Sequence, residues 1–510
     1  MRDTRARSVG ALVLASLLLL SALGSRFQVA VPDRVRLAPD ATRQLGPGLP
    51  LPVAVRAHPP GIVRVGGEPA GRHGVATRLP LAVEAEQSGV ATLDLSLFGW
   101  VPIRQVTVEV VPRVQVIPGG QSVGVMLQSR GVLVVDYAPV PAGDGSSVIP
   151  AREAGIRPGD IIQRINGTPV ENDLTAARLI DAAGRAGRAV ELELIRDGRV
   201  VRRTLDPVFN RDQQRYTIGV WVRDSVAGVG TLTFYDPRTQ RYAALGHVVT
   251  DVETQAPLPA GGGEILPARI TAIEPSRRGD PGEKIGVVAP GASPLGTIDR
   301  NTPVGISGKL LRQPPPGPES RPVPAALAGE VRPGPARIIT VVEGEEPRAF
   351  DIEIERINPS GGADGKDMVI RVTDPELLAL AGGIVQGMSG SPILQDGRLV
   401  GAVTHVFVND ATRGYGVFIE RMLEAAGLMP GRPPQQASAG PGSLTGVPAR
   451  WRVGQGAPMA GTEGAVPGAA GVFCRRNGGV MSESVDRFVR DFGRSWQNRL
   501  RTYVAGNAGS

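Results

Sequence analysis

The chain has 510 residues, 41% of them hydrophobic but only 4% aromatic, with 68 glycines and 46 prolines. That length holds about three domains, with cores built from Val, Leu, Ile and Ala and with many short strands and turns rather than long helices. Basic residues exceed acidic ones by seven (56 against 49), but the arginines are interleaved with acids and no basic run with aromatics occurs, which argues against nucleic-acid binding. A single cysteine, Cys474, excludes a disulfide framework.

Taken in chain order, Arg2, Arg5 and Arg7 precede an apolar run from Val9 to Leu23, and Arg26 closes it. Residues 1–26 therefore read as a signal anchor or a cleaved signal peptide rather than a buried core helix, and the charge bias sends the rest of the chain out of the cytoplasm. Residues 27–115 read as a small β domain: Ala91 to Leu97 and Val106 to Val110 alternate apolar and polar side chains. His58 and His73 fall among prolines, arginines and glycines and read as loop residues.

Within residues 116–206, Ala154-Gly155-Ile156-Arg157-Pro158-Gly159-Asp160-Ile161-Ile162 is followed by Ile165-Asn166-Gly167, a Pro-Gly-Asp turn, an apolar strand and an Asn-Gly turn. On these residues the stretch resembles a PDZ domain. The resemblance implies that Ser122-Val123-Gly124-Val125 is the loop whose N–H groups hold a peptide carboxylate. Asp173 to Ala183 reads as the helix lining the peptide groove.

Residues 207–430 carry the chemistry. Gly387-Met388-Ser389-Gly390-Ser391-Pro392 is the pattern of a trypsin-like nucleophile. A serine between glycines sits on a tight turn, and the N–H groups of Gly387 and Ser389 can face one oxyanion hole. Upstream, the strand Tyr242 to Leu245 ends in Gly246-His247, which places a general base before the serine in the order His then Ser. Several aspartates could orient the imidazole, among them Asp251, Asp364, Asp367 and Asp374. Chemistry alone favours a helix N-cap for Asp374, because Pro375-Glu376 follow it. His405 reads as strand packing or cleft lining. No His-Glu-x-x-His spacing occurs, so neither a metal nor another cofactor is expected.

Four stretches together resemble the stage IV sporulation protein B peptidases of endospore-forming bacteria: Gly228 to Pro237, Ala244-Leu245-Gly246-His247, Val372 to Leu378, and Gly383 to Ile393. Gly401 to Asp410 and Gly414 to Val417 extend the match. The resemblance implies a multidomain, mainly β chain with a membrane segment, a PDZ domain and a modified trypsin-like β-barrel serine peptidase. It implies a triad of His247, Asp374 and Ser389, with Asp374 overriding the capping reading. It further implies a peptidase exported across the forespore membrane into the space between the forespore membranes. There such an enzyme cleaves itself and a membrane-bound regulator, which leads to activation of a late mother-cell sigma factor. The alternative from another class is a PDZ scaffold that binds a membrane partner with little or no proteolysis. Residues 431–510 are rich in Pro, Gly and Ala at first and read as a disordered tail of unknown role.

Overall fold

The computed structural model describes residues 31–46, 51–141, 147–251, 254–358 and 365–430. The N-terminal segment and the tail expected at 431–510 lie outside them, and no described helix is long and apolar enough to cross a membrane.

The first unit is a β sandwich. Strand β1 (Arg34–Leu37) lies parallel to β3 (Val101–Val110), which pairs with β2 (Gly89–Leu97); Pro52–His58 and Val75–Arg78 complete a five-stranded sheet. A four-stranded sheet packs against it. The alternation seen in the sequence is the cause. In β2, Ala91, Leu93 and Leu95 point inward and are buried, and the shared core is made of Val, Leu and Ala with no aromatic residue. Arg36 ties this unit to the rest. Its guanidinium is buried and donates to Glu109 at 2.6 Å, to Glu420 at 3.0 Å and to the Pro430 carbonyl at 3.0 Å. The carboxylates around it hold its pKa above the usual arginine value despite burial.

Two barrels follow. Strand β4 (Ser122–Tyr137) pairs with β5 (Val220–Tyr235) on one edge and Ala260–Pro267 on the other; Gly296–Thr302, Gly305–Leu310 and β6 (Arg241–Ala244) close a six-stranded ring back to β5. The second barrel is closed from Gly334–Thr340, Arg348–Ile357, Met368–Val372, Asp410–Phe418, Arg398–Phe407 and Pro392–Gln395. Its core is mainly aliphatic, with Phe350, Phe418 and methionines filling gaps. The modified two-barrel expectation is thus met in outline.

The PDZ unit is inserted into the first barrel rather than preceding it. Up to Gln128, β4 belongs to the barrel; from Val132 it pairs with Ile161–Ile165 of the PDZ sheet. The switch is made at Gly131, whose φ is +106° and where a Cβ would lie 2.5 Å from the Ile162 carbonyl. Only glycine permits that close approach. Helix α1 (Pro150–Glu153) and helix α2 (Asp173–Arg185) cover the sheet, and α2 is N-capped by Asn172, which accepts from Thr175 N. The chain returns through β5, whose first residues pair with β4 in the PDZ unit and whose last residues lie in the barrel. Residues 122–129, expected within the PDZ unit, thus pair within the first barrel.

Candidate active site

His247 and Ser389 come from different barrels, and both lie beside Thr404 and His405 at the barrel junction. Loop 386–391 docks on the far end of β5. Thr231 N donates to the Ser389 carbonyl at 3.0 Å, and the Thr231 and Thr233 hydroxyls donate to the carbonyls of Gly387 and Gly390, each at 2.8 Å. Gly390, at φ +92°, leaves no room for a side chain: a Cβ would lie 2.2 Å from Thr231 O. Strand β6 delivers the base to the same place. Leu245 and Gly246 both adopt positive φ, which for leucine is a strained conformation of the kind that collects at functional sites. Gly246 lies against Thr404 and Val403, and the His247 ring sits 5.1 Å from that of His405.

The details suit acyl transfer. His247 Nδ1 is 2.9 Å from the Val248 carbonyl. A carbonyl only accepts, so Nδ1 carries the hydrogen and Nε2 is left bare, the tautomer a general base needs. Burial lowers the pKa of His247, with the Val248 bond opposing in part, so the ring is neutral at pH 7. Among the described residues, the N–H groups of Gly387 and Ser389 donate to no protein acceptor, whereas those of Gln386, Met388, Gly390 and Ser391 all do. Two N–H groups two positions apart, one of them the serine's own, with no protein acceptor are what an oxyanion hole requires. The Ser389 hydroxyl itself donates to the Thr404 carbonyl at 2.8 Å, so in this state it is not bonded to His247.

The structure corrects two expectations. Asp374 does not reach His247. Its carboxylate accepts from Glu376 N at 2.9 Å and Leu377 N at 3.0 Å, capping α3 (Pro375–Ala381), and from Asp351 N at 3.3 Å. The local capping geometry of Asp-Pro-Glu wins, and the group that orients the imidazole is the Val248 carbonyl. Asp251 is fully buried and bonded to Thr254 and Arg223; Asp367 bonds Phe418 N and Arg421; Asp364 lies outside the described residues.

Ser122, Val123, Gly124 and Val125 form no carboxylate loop. They are buried in β4, paired with Thr231 to Gly228 on one edge, and Val123 to Val125 pair with Pro267 to Ile265 on the other. Their side chains and backbone are claimed by the barrel, so no peptide can add there. An open edge that the sequence did not reveal lies at the start of β5. Thr217-Ile218-Gly219-Val220 repeats the Ser122-Val123-Gly124-Val125 pattern, with Gly219 at φ +78°. Among the described residues, no strand pairs with the other edge of β5 from Val220 to Ser225, and this stretch neighbours α2, where Asp173 N donates to Asp224 at 3.4 Å.

Sequence reasoning also missed Lys284, on β7 (Glu283–Val287). Its side chain is buried under Gly387, its N–H donates to the Gln386 carbonyl, and Nζ donates to the Thr340 hydroxyl at 2.6 Å. Burial without a carboxylate partner lowers its pKa to about 7. An isolated lysine in a strand carries no pattern that marks it as buried.

Family models match two parts of the chain. Residues 214–423 match the SpoIVB peptidase S55 family and residues 123–206 the PDZ domain. The chain is 34% identical over 105 residues to a protein of Mesorhizobium japonicum named as a candidate zinc metalloprotease, mll0638; the match takes in 20% of this chain, which spans 28% of the length of that curated relative. Crystal structures of the Rv3671c protease, in an inactive form and, from M. tuberculosis, in an active form, overlap 39% of this chain and 84% and 74% of theirs, at 17% and 16% identity and TM-scores of 0.22 and 0.23, too weak a likeness to bear on the fold. The S55 match takes in both His247 and Ser389, and together with the PDZ match it marks the chain as similar to the SpoIVB-like, PDZ-containing serine peptidases.

Proposed function

We propose that the chain is an exported endopeptidase of sporulation. On this reading it cleaves itself ahead of the PDZ unit and then cleaves a membrane-bound regulator in the space between the forespore membranes, which leads to activation of a late mother-cell sigma factor. The observation that carries the peptidase chemistry is the pair of free N–H donors beside Ser389, facing a serine that shares a junction with a neutral, correctly tautomerised histidine.

The mechanism follows from the geometry. The Ser389 hydroxyl leaves the Thr404 carbonyl and gives its proton to His247 Nε2 as Oγ attacks the scissile carbonyl. The new oxyanion is held by Gly387 N–H and Ser389 N–H. His247 returns the proton to the leaving amine, and water then deacylates the serine by the same route. A substrate or self segment adds to the open edge of β5, its terminal carboxylate near Ile218 and Gly219, whose N–H groups have no protein acceptor among the described residues. Because β5 runs unbroken from this edge to Thr231, which holds Ser389, peptide recognition and the nucleophile share one strand.

A second reading keeps the PDZ unit as a scaffold for a membrane partner with little proteolysis. The Ser389 to Thr404 bond, which ties up the nucleophile, is the observation in its favour. Labelling with a serine-reactive fluorophosphonate separates the two: a Ser389-dependent adduct supports the peptidase, and its absence in the folded protein supports the scaffold.

A further inference from the structure

We propose that the turn Phe98-Gly99-Trp100, between β2 and β3, is a membrane-contact loop whose partner is the lipid bilayer surface. This goes beyond the peptidase reading and does not depend on it. In a chain with 4% aromatic residues, two large aromatic rings stand within three positions at one hairpin tip. Phe98 is 60% and Trp100 78% exposed, and Phe98 is held at a positive φ of +54°, unfavourable for a bulky side chain. Neither ring packs on the sandwich core. Two rings placed this way cost solubility and conformational strain and add nothing to the sandwich core.

The topology says what covers it. β1 is parallel to β3, with Arg34 opposite Thr107, so the chain preceding β1 runs back along β3 toward the tip. Asp33 already bonds Arg104, at 2.5 Å. Continuing that register puts Val31 beside Arg104, four residues from Trp100, or about 13 Å at the usual strand rise. The apolar run Val9 to Leu23 ends eight residues before Val31, a reach of at most about 29 Å. A segment tethered at that distance is long enough to reach the end of the domain that carries the aromatic tip. Exposed Arg78 lies at that end too, opposite Pro52, whose carbonyl accepts from Phe98 N. An aromatic pair beside a cationic side chain is the composition of a membrane–water interface. Two weak membrane signals on one body hold it far better than one, and the second would fix the orientation of the sandwich relative to the bilayer.

The test uses the full chain reconstituted in phosphatidylcholine–phosphatidylglycerol vesicles that contain a lipid with brominated acyl chains, which quenches only tryptophans in contact with the bilayer. Trp100→Ala should lose a quenched component that wild type and Trp221→Ala both show. Phe98→Trp placed in the Trp100→Ala background should restore it, which ties the signal to the tip rather than to misfolding. Equal quenching in wild type and Trp100→Ala, or no restoration, would overturn the proposal.

Discussion

Replacing Lys284 by methionine should stabilise the peptidase domain at neutral pH and lose that advantage in alkali. Lys284 is buried and its pKa falls from 10.5 to about 7, a difference worth about 5 kcal/mol at 1.36 kcal/mol per unit. The sign follows from proton binding. Between pH 7 and 10.5 the unfolded chain holds a proton that the folded chain does not, so stability falls as pH drops through this window and levels off below it. Methionine keeps the stem that supports Gly387 and removes the titrating group. Against this stands the loss of the Thr340 partner at 2.6 Å, which leaves a buried hydroxyl without its donor and costs about 1–3 kcal/mol. The net gain at pH 7 is about 3 kcal/mol, and near pH 10.5 it should vanish or reverse. Urea unfolding of the Ser389→Ala protein, with and without Lys284→Met, measured at pH 7 and pH 10.5, checks this. A variant destabilised equally at both pH values would refute the claim that Lys284 is buried without a counter-charge.

Asp374→Asn should cleave nearly as well as wild type, because asparagine caps a helix about as well as aspartate, whereas loss of a triad acid costs about 10⁴ in kcat. Asp374→Ala should cost about 1 kcal/mol of stability, read from the same urea transition. The rate profile kcat/KM against pH should be flat near neutrality and fall on the acid side with a midpoint below 6.5, since burial lowers the pKa of the base His247 and only the neutral ring accepts a proton; a midpoint above 6.5 contradicts the burial argument. Val222→Pro should weaken binding of a C-terminal peptide, measured by fluorescence anisotropy, by distorting the edge to which it adds, while a substitution at Ser122 acts on folding instead, because that residue is buried in the barrel.

Much of the architecture was legible in the sequence because strand alternation is a local signal. Ala91 to Leu97 and Tyr242 to Leu245 announce strands within a few residues, the glycine-flanked Ser389 announces a tight turn, and the family resemblance named His247 and Ser389 as partners. Three features were not legible. Which of Ser122–Val125 and Thr217–Val220 opens the peptide edge depends on which strand the barrel closes upon, a long-range pairing that two similar four-residue patterns cannot decide. The choice for Asp374 set a resemblance against local capping chemistry, and here the local geometry is what the structure adopts. The insertion of the PDZ unit through Gly131 is likewise invisible, since a strand shared between two units reads as one strand.

The central claim is that Ser389 is an activated nucleophile. The most direct measurement is labelling of the purified full chain by a fluorophosphonate probe, followed on a gel together with self-cleavage, beside Ser389→Ala and His247→Gln. The account predicts a labelled adduct and cleavage in wild type only, with both variants folded by circular dichroism. Labelling that persists in Ser389→Ala, or a folded wild type that neither labels nor cleaves, would contradict it.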